Sequence, residues 1–150
     1  MIQQKDIPQG YAHCFVGKDS CPQAESCLRA IAAKLLTESE EEQPKAVYSV
    51  NSLYIEQLPE LASCSLYRSN TPVRYAKGMT HLFEELPLKL APKVRRRVMA
   101  CFSCERYFYH SRKGTRLIDP EEQRRIRNVF RTIAPELTPK FDSYEYVIVW

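Results

Sequence analysis

Glycine is scarce in this chain, and the usual glycine-dependent motifs of enzymes are missing. The 150 residues include only 4 glycines and 1 tryptophan. No P-loop, G-x-G-x-x-G or G-x-S-x-G pattern occurs, so we expect neither a phosphate-cradling loop nor a nucleophile elbow. The three histidines, His13, His81 and His110, are scattered along the chain. These absences favour a protein that is not an enzyme, and no catalytic residue is predicted.

Long hydrophobic runs are also missing. A membrane-spanning helix needs roughly 18 or more apolar residues in succession, and the sequence has no such run. The first residues, MIQQKDIPQGY, contain no apolar core of a signal peptide. We therefore expect a cytoplasmic protein with no membrane partner. In that reducing setting its 6 cysteines are interpreted first as buried thiols or metal ligands, and only second as three disulfides.

Length and hydrophobic periodicity predict one α+β domain over residues 1–150. Apolar residues at helical spacing predict four helices, and β-prone runs predict two strands that pair in a small sheet. The start of the last helix is the best defined, because Asp119, Pro120 and Glu122 form a capping-box pattern. The predicted helices cover residues 22–36, 75–86, 91–102 and 120–133, and the strands lie near 46–50 and 144–149.

Residues 106–118 have two interpretations. Arg112-Lys113-Gly114 is a turn signal that favours a hairpin, whereas the preceding residues equally allow a helical extension. The second and third helices are joined by a short turn that contains Pro87. With 106–118 as a wing, they could form a helix-turn-helix.

Four cysteines in the first 64 residues carry the strongest chemical signal. Cys14, Cys21, Cys27 and Cys64 have the spacing C-x6-C-x5-C-x36-C. Four thiolates complete a tetrahedral shell for zinc, and the same ligands hold iron–sulfur clusters. Zinc is the first expectation for a structural site, an iron–sulfur cluster is the alternative, and buried free thiols are the competing interpretation. His13 adjoins Cys14 and could replace a thiolate.

Cys101 and Cys104 form a C-x2-C pair at helical spacing. A redox-active pair is normally found between a strand and a helix in a βαβ unit, and no such unit is predicted here. We therefore interpret one of the two as a core residue and the other as a partly exposed thiol.

Charge is distributed unevenly along the chain. Residues 1–60 carry 5 Lys and Arg against 9 Asp and Glu, whereas residues 89–131 carry 13 against 4, a net charge of +9. Arginine binds phosphate with two parallel hydrogen bonds, and Tyr107, Phe108 and Tyr109 lie among these cations. A nucleic acid or an acidic protein is the predicted partner, and solvated helix faces are the alternative. The candidate anion-binding residues are Lys93, Arg95, Arg96, Arg97, Arg106, Arg112, Lys113, Arg116, Arg124, Arg125 and Arg127.

A set of short motifs is spread over nearly the whole chain. The motifs are Tyr11 with Cys14-Phe15, Cys21-Pro22 with Cys27-Leu28-Arg29, Cys64 with Tyr67-Arg68, 72–76 with Gly78, 119–123, Phe141-Asp142 with Tyr144, and Trp150. Together they resemble an uncharacterised bacterial family of about this length, a domain of unknown function. The resemblance implies that the first four cysteines belong together, that Cys101 and Cys104 are peripheral, and that the setting is bacterial and cytoplasmic. It implies no activity.

These features together predict a non-enzymatic intracellular binding or regulatory module. A metal site formed by four cysteines would stabilise its first half, and a basic face would bind an anionic partner. Two alternatives stay open at this stage. One is an iron–sulfur redox or sensor protein that uses the same cysteines, and the other is a metal-free protein-interaction domain.

Overall fold

The computed structural model describes residues 2–17, 19–40, 44–58 and 64–150. The chain divides into two compact units: Met1–Thr71 with Ile148–Trp150, called here the first unit, and Pro72–Val147, the second unit. The described residues contain five α-helices and a three-stranded antiparallel sheet, which confirms the α+β class. The assignment of residues 1–150 to one domain stays a prediction.

The first unit has little regular structure. A short 3-10 helix at Gln4–Asp6 precedes α1 at Leu28–Thr37 and α2 at Ser52–Glu56. Extended segments are joined by two isolated bridges, His13 with Ser49 in parallel and Cys27 with Ser69 in antiparallel orientation. Long-range backbone pairing therefore organises this unit more than helix packing does.

The first helix starts later than the periodicity predicts. Residues 22–26 form turns, and Cys27 has an extended backbone as the N-cap of α1. The amide of Leu28 donates to Arg68 at 2.7 Å, and the amide of Asn70 donates to Ser26 at 2.9 Å. These bonds to a distant segment flank Cys27 and hold it in an extended conformation, so the predicted helix over 22–36 is wrong in its first turns.

The second unit contains the sheet and three helices. Its elements are β1 (Val73–Lys77), α3 (Ala91–Met99), α4 (Glu105–Arg112), β2 (Leu117–Ile118), α5 (Pro120–Ile133) and β3 (Ser143–Val147). The strand order is β2-β1-β3, with Ala76 opposite both Ile118 and Tyr144. Helix α5 lies against β1, and α3 lies against α5.

One apolar cluster supports the second unit. Val94 and Val98 of α3, Phe108 of α4, and Ile126 and Phe130 of α5 are all at most 2% exposed and belong to it. The two residues named in α3 are four positions apart, as are the two in α5, which places each pair on one face of its helix. The opposite faces of these helices are left for polar residues.

The strand near 144–149 is confirmed, but its predicted partner is wrong. Strand β3 pairs with β1 over five residues, whereas Ser49 in the 46–50 segment makes only the isolated bridge to His13. The predicted helix over 75–86 is also wrong, because residues 73–77 form the central strand and 80–85 form turns. Pairing with β3 and β2 decides the conformation here, and local periodicity does not reveal such pairing.

The start of α5 confirms the sequence prediction. The side chain of Asp119 accepts from the amide of Glu122 at 2.7 Å, and Glu122 accepts from the amide of Asp119 at 3.2 Å. Residues 106–118 do not form a hairpin, because the first of them belong to α4 and β2 pairs with β1. The turn signal is confirmed at Gly114, and the helical interpretation holds as far as Arg112. The predicted helix-turn-helix is wrong, since its first helix does not form. No helix among the described residues is long and apolar enough to cross a membrane.

Gly78 ends β1 in a conformation that only glycine adopts easily. Its φ is +76°, and a Cβ there would overlap the carboxylate of Asp142. That carboxylate accepts from the amide of Thr80 at 3.0 Å and from its hydroxyl at 2.9 Å, and the amide of Asp142 donates to Gly78. The turn after β1 is thereby connected to the chain entering β3.

We predict that Gly78→Ala lowers the free energy of unfolding by about 2–4 kcal/mol, because it adds left-handed backbone strain and displaces the Asp142 carboxylate. Urea unfolding followed by circular dichroism measures the change. Gly17→Ala is the control, since no atom lies within 4 Å of its added Cβ. Equal effects of the two substitutions would contradict the assigned role of Gly78.

Candidate functional site

The four cysteines of the first half come from four separate segments. Cys14 follows the His13 bridge, and its amide donates to Arg29 at 2.9 Å. Cys21 closes a turn in which its amide donates to Gly17 at 3.0 Å. Cys27 is the N-cap of α1. Cys64 begins a turn in which its carbonyl accepts a hydrogen bond from the amide of Tyr67. Local turns and long-range bridges therefore place each thiol.

All four of these cysteines line one small cavity. Its volume is about 20 Å³, and its remaining walls are mostly apolar. A volume of 10–15 Å³ on this measure is about the least that holds one water molecule. The space is thus of the size of a single atom or small ion. The other lining residues are Val16, Gln23, Arg29, Ala30, Val50, Ile55, Leu66 and Tyr67.

The electrostatics of this cavity favour the neutral form of the Cys14 thiol. Burial raises the pKa of Cys14, and the neighbouring Cys27, Cys21 and Cys64 raise it further because their thiolates would repel its own. A hydrogen bond with the backbone of Val16 acts in the opposite direction and favours the thiolate. A bound dication would reverse the balance, because it stabilises every thiolate around it.

The thiols are neighbours but do not form a finished metal shell. Within residues 2–17, 19–40, 44–58 and 64–150, no three His, Cys, Asp or Glu side chains are grouped so that they could hold a metal ion. His13 is buried but is absent from the cavity lining, and its Nδ1 lies 3.3 Å from the carbonyl of Tyr48. The four cysteines therefore line one cavity, but among the described residues their thiols are not grouped closely enough to hold a metal ion.

Arg29 holds together the segments that surround the cavity, a role that the sequence analysis does not predict. Its Nε donates to the carbonyl of Leu66 at 3.0 Å, and a terminal nitrogen donates to Ala12 at 3.1 Å. Its own carbonyl accepts from Cys14. One arginine thus connects α1 to the segments that carry Cys14 and Cys64. A charged residue between the apolar Leu28 and Ala30-Ile31 was the only available signal.

Tyr11 completes the surroundings of Arg29. The guanidinium of Arg29 lies 5.0 Å from the centre of the Tyr11 ring, and Trp150 packs edge-on against the same ring at 5.1 Å. Burial raises the pKa of Tyr11, whose hydroxyl is enclosed without a hydrogen-bond partner among the described residues. These aromatic contacts hold Arg29 in its position.

Cys101 and Cys104 lie in the second unit. Cys101 is buried, and its Sγ donates to the carbonyl of Arg97 at 3.4 Å, while Cys104 is exposed as the N-cap of α4. Burial raises the pKa of Cys101. One core thiol and one exposed thiol match the sequence interpretation.

The candidate anion-binding residues separate into two groups. All four cations of α3 are exposed, and within the described part of the chain none of them forms an ion pair. No acidic residue occurs in α3. This helix therefore presents uncompensated positive charge through Lys93, Arg95, Arg96 and Arg97.

Three cations near the start of α5 are paired with carboxylates of the same helix. Arg124 and Arg125 both bind Glu121, at 2.7 and 3.1 Å, and Arg116 binds the buried Glu122 at 2.8 Å. The carboxylates hold the pKa of Arg116 and Arg124 above the usual range. The remaining candidates are Arg106, which donates to His110, Arg127, which donates to Gln123, and Arg112 and Lys113, which have no ion pair among the described residues.

The chain belongs to a family of unknown function, DUF6078, whose model matches residues 1–150. This membership confirms the resemblance that the sequence motifs indicate. No curated protein and no solved structure matches the chain. The family description names no activity, so the residues and their geometry must support any function.

We predict that the metal-free protein loses stability above about pH 9. Burial raises the pKa of Cys14 above its ordinary value of 9.0, so the folded chain keeps this proton longer than the unfolded chain does. The stabilising contribution is complete at lower pH and disappears as the pH rises through the folded pKa. Urea unfolding with a chelator at pH 8, 9 and 10 measures it.

Cys14→Ser provides the comparison, because the hydroxyl of serine does not titrate in this range. The variant should be less stable at pH 8 but should lose less stability between pH 8 and 10. Parallel pH profiles for the two proteins would show that Cys14 is not the group responsible.

Proposed function

We propose that this protein is a non-enzymatic binding module in which Cys14, Cys21, Cys27 and Cys64 hold one structural metal ion, zinc in the first instance. The observation that carries the proposal is the convergence of these four thiols on one cavity. Cys14 and Cys64 are 50 positions apart in the sequence, yet both lie at this cavity with Cys21 and Cys27. Among the described residues, the lining of this cavity includes no carboxylate and no imidazole.

The size of the cavity supports a single ion in preference to a cluster. A space of about 20 Å³ accepts one ion after the thiols close around it. An iron–sulfur cluster contains several iron and sulfide atoms, so Val16, Ile55 and their neighbours would have to move outward. Metal sites of small domains commonly form together with the local fold, which is consistent with thiols that still have to approach.

The thin core of the first unit gives the metal a structural purpose. Among the described residues of this unit, the buried apolar side chains are few, and none of them is Phe, Tyr or Trp. Small units with so little buried apolar surface usually require a metal or disulfides for stability. The buried set comprises Val16, Cys27, Leu28, Ala32, Ala33, Leu36 and Ile55.

We predict one zinc per chain in protein purified without oxygen and without a metal-affinity tag. Loss of a residue that only supports a metal ligand already weakens binding 10–100-fold, so replacing a ligand should cost about 100-fold or more. Competition with a chromophoric chelator measures the affinity of Cys21→Ser and Cys64→Ser variants. Cys104→Ser is the matched control, because this exposed thiol lies in the second unit.

Elemental analysis and a visible spectrum separate the alternatives. If the protein contains iron and sulfide and absorbs visible light, the zinc proposal is wrong and the iron–sulfur redox or sensor interpretation takes its place. A second outcome is that the protein binds neither metal and that Cys64→Ser retains the fold. This outcome would refute the metal site and leave the interpretation as a metal-free interaction domain.

A second function, the binding of an anionic partner, is supported by the unpaired charge of α3. Four exposed cations on a helix of nine residues with no acidic neighbour in that helix create a positive potential. Arg124 and Arg125 share the single negative charge of Glu121, and this contrast favours α3 over the start of α5 as the proposed contact.

We predict that the protein binds heparin, a polyanion without bases, and that Arg95→Gln with Arg97→Gln lowers the salt concentration of elution. The double variant Arg124→Gln with Arg125→Gln removes the same net charge and is the control. Since its arginines are already paired, it should elute closer to the unaltered protein. Equal shifts for both double variants would refute a specific role for α3.

A further inference from the structure

Tyr107 of α4 carries a partly exposed aromatic ring in the part of the chain that follows the cationic helix α3. Its side chain is 43% exposed, and the guanidinium of Arg116 lies 4.8 Å from the centre of its ring. The same guanidinium lies 5.9 Å from the ring of Phe102, which follows α3 by three residues and is buried in the core. Tyr107 is therefore connected to the end of α3 through Arg116 and Phe102.

Arg116 is held firmly enough to fix this arrangement. Its two terminal nitrogens donate to the two carboxylate oxygens of Glu122 at 2.8 and 2.9 Å, and one of them also donates to Ser111 at 3.0 Å. Glu122 is buried and is itself part of the α5 capping box. A paired, oriented Arg116 supports the Tyr107 ring rather than serving as a free cation.

The unpaired arginines of α3 and the exposed ring of Tyr107 are two features that a nucleic acid can bind at the same time. Phosphates of a nucleic acid would bind the α3 cations, and an unpaired base has a planar face that can stack on a tyrosine. An acidic peptide would satisfy the cations but offers no base for Tyr107. A duplex keeps its bases stacked internally, and the helix-turn-helix that would favour a duplex does not form here.

We propose that the surface formed by α3 and Tyr107 binds single-stranded nucleic acid, with phosphates on Arg95, Arg96 and Arg97 and a base on Tyr107. This inference rests on the proposed anion binding and names its partner class. The two contributions differ in kind, since phosphate contacts depend on salt concentration whereas base stacking depends on it little.

Fluorescence anisotropy with a labelled 12-nucleotide oligouridine tests the proposal at several salt concentrations. We expect Arg95→Gln with Arg97→Gln to weaken binding and to reduce the salt slope by about 1.4, because each phosphate contact to a single strand contributes about 0.7. Tyr107→Leu should weaken binding about 10-fold and leave the slope unchanged. Circular dichroism confirms that each variant is folded.

Tyr109→Leu is the matched control for the aromatic contact. Tyr109 belongs to the same helix and is 39% exposed, but two positions along a helix place it about 200° away from Tyr107. Its replacement should change affinity for the oligonucleotide little. Arg124→Gln with Arg125→Gln serves again as the control for charge.

The outcomes distinguish this inference from the proposal beneath it. Heparin binding that requires α3, together with oligouridine binding that Tyr107→Leu does not weaken, would overturn base stacking and leave anion binding intact. Polyglutamate or a duplex of equal length that binds as tightly as oligouridine would likewise overturn the choice of a single strand. Failure to bind any polyanion would refute both proposals.

Discussion

Arg29 connects three segments of the first unit that are far apart in the sequence. A half-buried guanidinium has five N–H donors and no acceptor, so it remains in place only where oxygen atoms surround it. Here the oxygens are the backbone carbonyls of Ala12 and Leu66, two residues before Cys14 and two residues after Cys64. The segments that carry Cys14 and Cys64 are therefore held by a residue that is not itself a cysteine.

Glu122 has a comparable place in the second unit. It caps the start of α5, pairs with Arg116 and is buried, so three local features share one carboxylate. A buried charge of this kind is tolerated because its partner and hydrogen bonds are present. Because Arg116 is paired with Glu122, it is not a free cation, and its guanidinium lies against the Tyr107 ring. Arg116 thus differs from the arginines of α3, which have no ion pair among the described residues.

Local signals in the sequence were sufficient where the structure is locally determined. Asp119, Pro120 and Glu122 identify the start of α5 because a capping box involves only neighbouring residues. The apolar spacing of Val94 and Val98 identifies α3 for a similar reason. Periodicity failed over 73–86, since the strand there exists through pairing with β3 and β2, and the choice of partner strand is not encoded within the segment.

The sequence by itself determined the α+β class, the best-capped helix, the concentration of positive charge, and the four cysteines as one candidate set. Those features follow from residue types and short spacings. Only the tertiary structure decided that the four thiols share one cavity, that Arg29 holds their segments, and which arginines are already paired. Such decisions depend on contacts between distant segments, where burial and hydrogen-bond partners, rather than local preference, determine position.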